Sequence, residues 1–148
     1  MDTLTFPAAS ILVLTLIVAS VTDLRSRVIP NWLVALAALA GLALAYTGSR
    51  LGPAVLASCL AAAPFLAAAL IRPEGMGMGD VKLVAVIGLF LGQSVWPALA
   101  IGLALAGLTG LLISLGRRQP PSRVALPLAP FLALGAGMML VIGGSSLQ

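Results

Sequence analysis

Met76-Gly77-Met78-Gly79-Asp80-Val81-Lys82 sets a carboxylate behind alternating glycines at the head of a long apolar run, in a chain with only four acidic residues. An acid at the edge of an apolar segment costs insertion energy, so it calls for a reason. Its companion lies far upstream, at the end of the first apolar segment, in Val21-Thr22-Asp23-Leu24-Arg25-Ser26-Arg27-Val28-Ile29-Pro30-Asn31. Two carboxylates at a membrane edge are the equipment of an aspartic hydrolase.

The bulk of the chain supplies the membrane. It has 148 residues, of which 61% are hydrophobic and 8% charged, and its mean hydropathy is +1.17. That leaves too little polar surface to close a water-soluble globule. Uncharged stretches run over 3–22, 28–49, 51–71, 83–116 and 124–148, and a spanning helix needs about 20 predominantly apolar residues. Four of the stretches fit one crossing each. The stretch 83–116 is too long for one, and Gly92-Gln93-Ser94-Val95-Trp96-Pro97 in its middle reads as a turn. The sequence therefore predicts an all-α integral membrane protein, one domain over 1–148, with six transmembrane helices near 5–22, 31–47, 52–71, 80–92, 96–115 and 125–143.

Basic residues favour cytoplasmic loops. Six crossings put Arg25, Arg27, Arg72, Lys82, Arg117, Arg118 and Arg123 on one side and only Arg50 on the other. The first side is then the cytoplasm, and both termini lie on the non-cytoplasmic side. The same count puts Asp23, Glu74 and Asp80 together on the cytoplasmic face. A single crossing over 83–116 would strand Arg117, Arg118 and Arg123 outside, so charge and turn agree.

Several function classes drop out. A net charge of +4 is spread over several loops, which suits topogenic charges beside anionic lipid and not nucleic acid. There is no histidine, and Cys59 is alone; this excludes a histidine-assisted triad and leaves no metal cluster. No cofactor is expected. Cys59, flanked by Ala and Leu, reads as a small packing residue buried mid-helix. The first segment lacks a basic leader region and is retained as a helix. Runs such as Ala35 to Gly41, Ala61 to Ala63 and Gly102 to Gly107 let helix backbones approach closely in lipid. Pro64, Pro127 and Pro130 should bend or delay their helices.

Each acid also has a structural reading. Asp80 could cap a helix N-terminus, and Asp23 could pair with Arg25 or Arg27. The alternate glycines Gly75, Gly77 and Gly79 tip the balance, because they would let an extended substrate backbone approach Asp80. The fourth helix is also short, roughly 20 Å, and could carry Asp80 below the membrane surface.

Gly77-Met78-Gly79-Asp80 followed by Val81-Lys82-Leu83 resembles the GxGD motif of the type IV prepilin peptidases, which are intramembrane aspartic proteases. Asp23-Leu24-Arg25 with Ile29-Pro30-Asn31 resembles that family's first aspartate motif, and Pro127-Leu128-Ala129-Pro130-Phe131-Leu132-Ala133 resembles its C-terminal signature. The resemblance implies an endopeptidase of the cytoplasmic (inner) membrane that removes the short basic leader from prepilins or pseudopilins, just before their hydrophobic helix. Asp23 and Asp80 would be catalytic. Gly77 and Gly79 would admit substrate, and Glu74 would either attract its basic leader or, the reading the sequence favours, stand as a solvated loop charge with no role. Larger members carry a cytoplasmic domain with paired cysteines and an N-methylating activity; this chain resembles the compact peptidase-only form that serves tight-adherence pili, and methylation is not expected. The oligomeric state, the particular substrate and the division of acid and base roles stay open. Two other classes compete: a small proton or cation transporter, whose acids should sit near the midplane, and a structural assembly subunit.

Overall fold

The computed structural model describes residues 6–71, 77–117 and 126–145, and these are helical apart from short connections. Six helices follow one another: α1 (Phe6–Ser26), α2 (Asn31–Thr47), α3 (Leu51–Ile71), α4 (Met78–Leu91), α5 (Val95–Arg117) and α6 (Ala129–Ser145), with a 3₁₀ turn at Gly92–Ser94 between α4 and α5. Phe6–Ser26, Leu51–Ile71 and the nearly continuous Met78–Gly116 are long and apolar enough to cross a membrane; Asn31–Thr47 and Ala129–Gly143 are shorter apolar helices. This is a multi-pass membrane protein.

The fold is organised around α4, which touches each of the other five helices. From Leu83 to Leu91 it buries all but Ala85 among them, so a helix apolar on every face becomes the axis of the bundle. Lipid is as apolar as a leucine side chain, so helix association here rests on close packing and interhelical hydrogen bonds. The α3–α4 contact has both. A Cβ on Gly88 would stand 2.6 Å from the Cα of Ser58, so only glycine permits this approach. Ser58 Oγ then donates to the carbonyl of Ala85 at 2.7 Å, a bond worth on the order of 0.6 kcal/mol within a bilayer. The α5–α6 pair uses the same device, with Gly135 against the backbone of Ala98.

The observed boundaries refine the expected ones. α1 continues to Ser26, a full turn past the predicted end, so Asp23 lies inside the helix. Its polar last turns stay helical because Thr22 Oγ1 and Ser26 Oγ bond back to Val18 and Thr22 carbonyls at 3.0 and 2.9 Å. Arg27 ends it in the left-handed region, φ 54°, a conformation that costs a non-glycine residue roughly 1–2 kcal/mol. The break predicted at 92–97 is only three residues long. Gly92 turns the chain at φ 54°, and Pro97 falls in the first turn of α5, where a missing N–H costs nothing.

α6 begins at Ala129 and not near 125. The carbonyl of Leu128 receives the N–H groups of Phe131 and Leu132, both at 3.1 Å. Pro130 is therefore the second residue of the helix and starts it without bending it. One expectation fails outright: Cys59 is exposed. Its neighbour Ser58 takes the place facing α4, and a rotation of about 100° per residue then turns Cys59 outward.

Candidate active site

Helical periodicity alone carries Asp23 inward. Leu12, Leu16, Ala19 and Asp23 recur at steps of four, three and four, and all are buried on one face of α1. Asp23 keeps only 7% of its surface exposed. A carboxylate so placed needs a donor. It finds one in another helix: Ala129 N–H, the first amide of α6, donates to Asp23 Oδ2 at 3.0 Å in a buried hydrogen bond. An amide at the start of a helix has no carbonyl partner of its own, and the positive end of the helix dipole favours a carboxylate there. The alternative pairing of Asp23 with Arg25 or Arg27 is not what holds it; both arginines are exposed.

Asp80 occupies the third position of α4. Gly77 is the N-cap, with extended backbone at φ −73° and ψ 139°, and the N–H of Asp80 returns to the Gly77 carbonyl at 3.0 Å. Asp80 is thus inside the first turn, not the cap. Its side chain is half-buried, and the packing of the start of α4 on Ile29, just past the end of α1, brings it to the same end of the bundle as Asp23.

The two glycines of the motif differ. A Cβ on Gly77 would meet Asp80 Oδ2 at 3.5 Å, an ordinary contact, with its other neighbour the Gly79 amide at 3.9 Å. A Cβ on Gly79 would stand 3.1 Å from that of Ile29. Gly79 therefore seats the start of α4 on Ile29, a packing duty that the alternation of glycines did not reveal. Asn31 completes this clamp: Lys82 Nζ donates to Asn31 Oδ1 at 2.8 Å. The short connection from α1 to α2 thus grips the first turn of α4 on either side of Asp80. Glu74 and Gly75 lie outside the described residues.

An apolar groove of about 410 Å³ runs between α1 and α6, lined by Val13, Leu16, Ile17, Ser20 and Val21 on one wall and Pro130, Ala133, Leu134 and Gly137 on the other. It ends one helical turn from Asp23 and next to Ala129. Ser20 Oγ, on its wall, is buried and has no hydrogen-bond partner.

Sequence reading missed Ala129, Ile29 and Lys82 as parts of this site. The prolines flanking Ala129 were the available sign, since they fix where α6 starts and hence which amide is free.

An all-helical membrane protein with two carboxylates at one end of its bundle is the class that fold and site define. Residues 10–115 match the model of the type IV leader peptidase family, and the chain belongs to that family. Among its relatives is a prepilin leader peptidase/N-methyltransferase of Bacillus subtilis (strain 168), 38% identical over 149 residues that cover 95% of this chain and 57% of the relative. Proteins of the same description from Pectobacterium carotovorum subsp. carotovorum and Aeromonas salmonicida (strain A449) are 36% identical over 74 residues and 39% identical over 75. Those matches cover 50% and 49% of this chain but only 26% and 25% of the relatives. No solved structure matches the chain.

Proposed function

We propose that the protein is an aspartic endopeptidase that removes leaders from prepilin-like substrates, with Asp23 and Asp80 as its catalytic pair. The observation that carries this reading is the placing of the two acids, from α1 and α4, at one end of the bundle, with the start of α4 seated on Ile29 just past the end of α1, in a chain of the leader peptidase family. Two adjacent carboxyls do not readily both ionise, so the pair titrates as a unit with one proton shared or held. The ionised member draws a proton from water as its oxygen adds to the scissile carbonyl carbon, while the protonated member donates to the carbonyl oxygen. When the C–N bond breaks, the amine nitrogen takes a proton, leaving a leader that ends in a carboxyl group and a mature chain with a new amine. No covalent intermediate is needed.

The surroundings suit this chemistry. Ala129 N–H fixes one oxygen of Asp23 and leaves the other for water. The half-exposed face of Asp80 and the small side of Gly77 leave room for an extended substrate backbone. The groove between α1 and α6 offers an apolar approach from lipid to the pair, fitting a substrate whose cleavage point precedes a hydrophobic helix. A transporter needs acids near midplane, and among the described residues both acids lie at one end.

Six crossings, with Asp23 and Asp80 at the cytoplasmic face of the inner membrane and the termini opposite, complete the proposal. Its support is the run of basic residues at the dyad end, Arg25, Arg27 and Lys82 among the described ones. The test is co-expression with a candidate prepilin from a neighbouring gene, followed by mass spectrometry of its N-terminus. A new terminus just before the hydrophobic helix is expected. A substrate that stays full length at normal abundance of both proteins would refute the peptidase reading.

A further inference from the structure

The opposite end of the bundle holds a second polar site. Arg50 follows Ser49, whose φ of 54° reverses the chain between α2 and α3. Its backbone is fixed on both sides: its N–H donates to the Ala45 carbonyl at 2.9 Å, and its carbonyl receives the Ala54 N–H at 3.0 Å. The side chain reaches across to α4, where Nη1 donates to the Phe90 carbonyl at 3.3 Å. A guanidinium has five N–H donors in a planar fork, so this bond leaves most of them available. The described carboxylates, Asp23 and Asp80, are both at the far end.

Arg50 lines a cavity of about 340 Å³. Gln93 and Ser94, from the 3₁₀ turn, bring further donors to it, and Pro53, Leu91 and Pro97 give it apolar walls. Its depth in the membrane is marked by exposed aromatics at the same end, Tyr46 at the close of α2 and Trp96 at the start of α5. Tyrosine and tryptophan collect at the headgroup level of a bilayer.

We propose that this cavity binds a phosphate group, with Arg50 as the charged ligand and Gln93 and Ser94 as supporting donors. A guanidinium matches phosphate oxygens two at a time. The apolar walls and the aromatic belt point to the phosphate of a phospholipid headgroup, and free inorganic phosphate shares the same chemistry. Bound there, the anion ties the α2–α3 connection to the end of α4 and neutralises a cation at the edge of the bilayer. This site is independent of the peptidase reading.

The test uses the full chain in a neutral maltoside detergent, with Trp32→Phe so that fluorescence reports on Trp96. Brominated phosphatidylglycerol should quench Trp96 saturably, and diacylglycerol with the same brominated chains should not. Arg50→Gln should weaken the lipid about tenfold, the scale of one lost hydrogen bond to a charged group. Gln93→Ala with Ser94→Ala, confined to the 3₁₀ turn, should weaken it about threefold and serves if Arg50→Gln fails to fold. Displacement of the lipid by millimolar inorganic phosphate would support the site with free phosphate as a competent occupant; resistance to it would support the lipid headgroup. Equal quenching by diacylglycerol, or unchanged affinity in the folded variants, would overturn the proposal.

Discussion

The two ends of α4 are built from the same parts to opposite purpose. At the Arg50 end, a cation from the α2–α3 connection donates to the Phe90 carbonyl in the last turn of α4. At the dyad end, a carboxylate of α1 accepts the first amide of α6, and Asp80 stands in the first turn of α4. Each helix terminus offers backbone groups of one sign, and each end of the bundle holds a side chain of the complementary sign. The difference lies in what remains free. At the dyad end Asp80 is half-buried with a glycine at its flank, whereas at the other end Arg50 is already bonded to the Phe90 carbonyl and borders a cavity walled by Pro53, Leu91 and Pro97. Chemistry is proposed for the first end and anion binding for the second.

Changes at the dyad end should therefore cost turnover without costing the fold. Asp23→Glu preserves charge but moves the carboxyl by one methylene, off the Ala129 amide and away from its partner; processing should fall about a hundredfold or more. Near-normal cleavage would show that the geometry of the pair is not critical.

Ala129→Pro removes the N–H at a first-turn position that tolerates proline. Loss of a hydrogen bond to a charged group, about 1.5–3 kcal/mol, should lower kcat by roughly tenfold to a hundredfold with KM little changed. Ala129→Gly keeps the amide and should retain most activity. If glycine is as damaging as proline, packing at this buried position and not the amide is at stake.

Gly77→Ala is the finer probe of the free space beside Asp80. Alanine suits the backbone there and meets only ordinary contacts, so abundance and thermal stability should not change, while cleavage should fall about fivefold, some 1 kcal/mol. Gly79→Val is blunter, since it also displaces Ile29; a cleavage defect there should come with some loss of stability. Glu74→Gln should stay within about twofold of wild type at saturating substrate, because Glu74 is not a member of the proposed catalytic pair. A dead Glu74→Gln enzyme would mean that the catalytic pair has been assigned wrongly.

The six helices and the placing of Asp23 and Asp80 at one end of them were legible because both follow from the spacing of charges along an apolar chain. Helix faces were harder to read. Cys59 was placed inside because α3 is apolar all round, and such a helix carries no pattern that says which side meets lipid. The extra turn of α1 escaped notice because its polar residues satisfy themselves against the helix backbone, by bonds that composition does not advertise. The Ala129 amide left no side-chain signature at all. The stretch from Pro127 to Ala133 stood out as a motif, but finding the amide within it required reading Pro127 and Pro130 as helix starters and not as kinks.

The central claim is that Asp23 and Asp80 act together, and the direct measurement is cleavage of a reconstituted prepilin by Asp23→Asn and Asp80→Asn, each at wild-type abundance in the membrane. Each change keeps shape and removes an ionisable group. Both variants should lose all detectable processing, and Asp23→Asn combined with Asp80→Asn should be no worse than either alone. Substantial cleavage by either single variant would contradict the account.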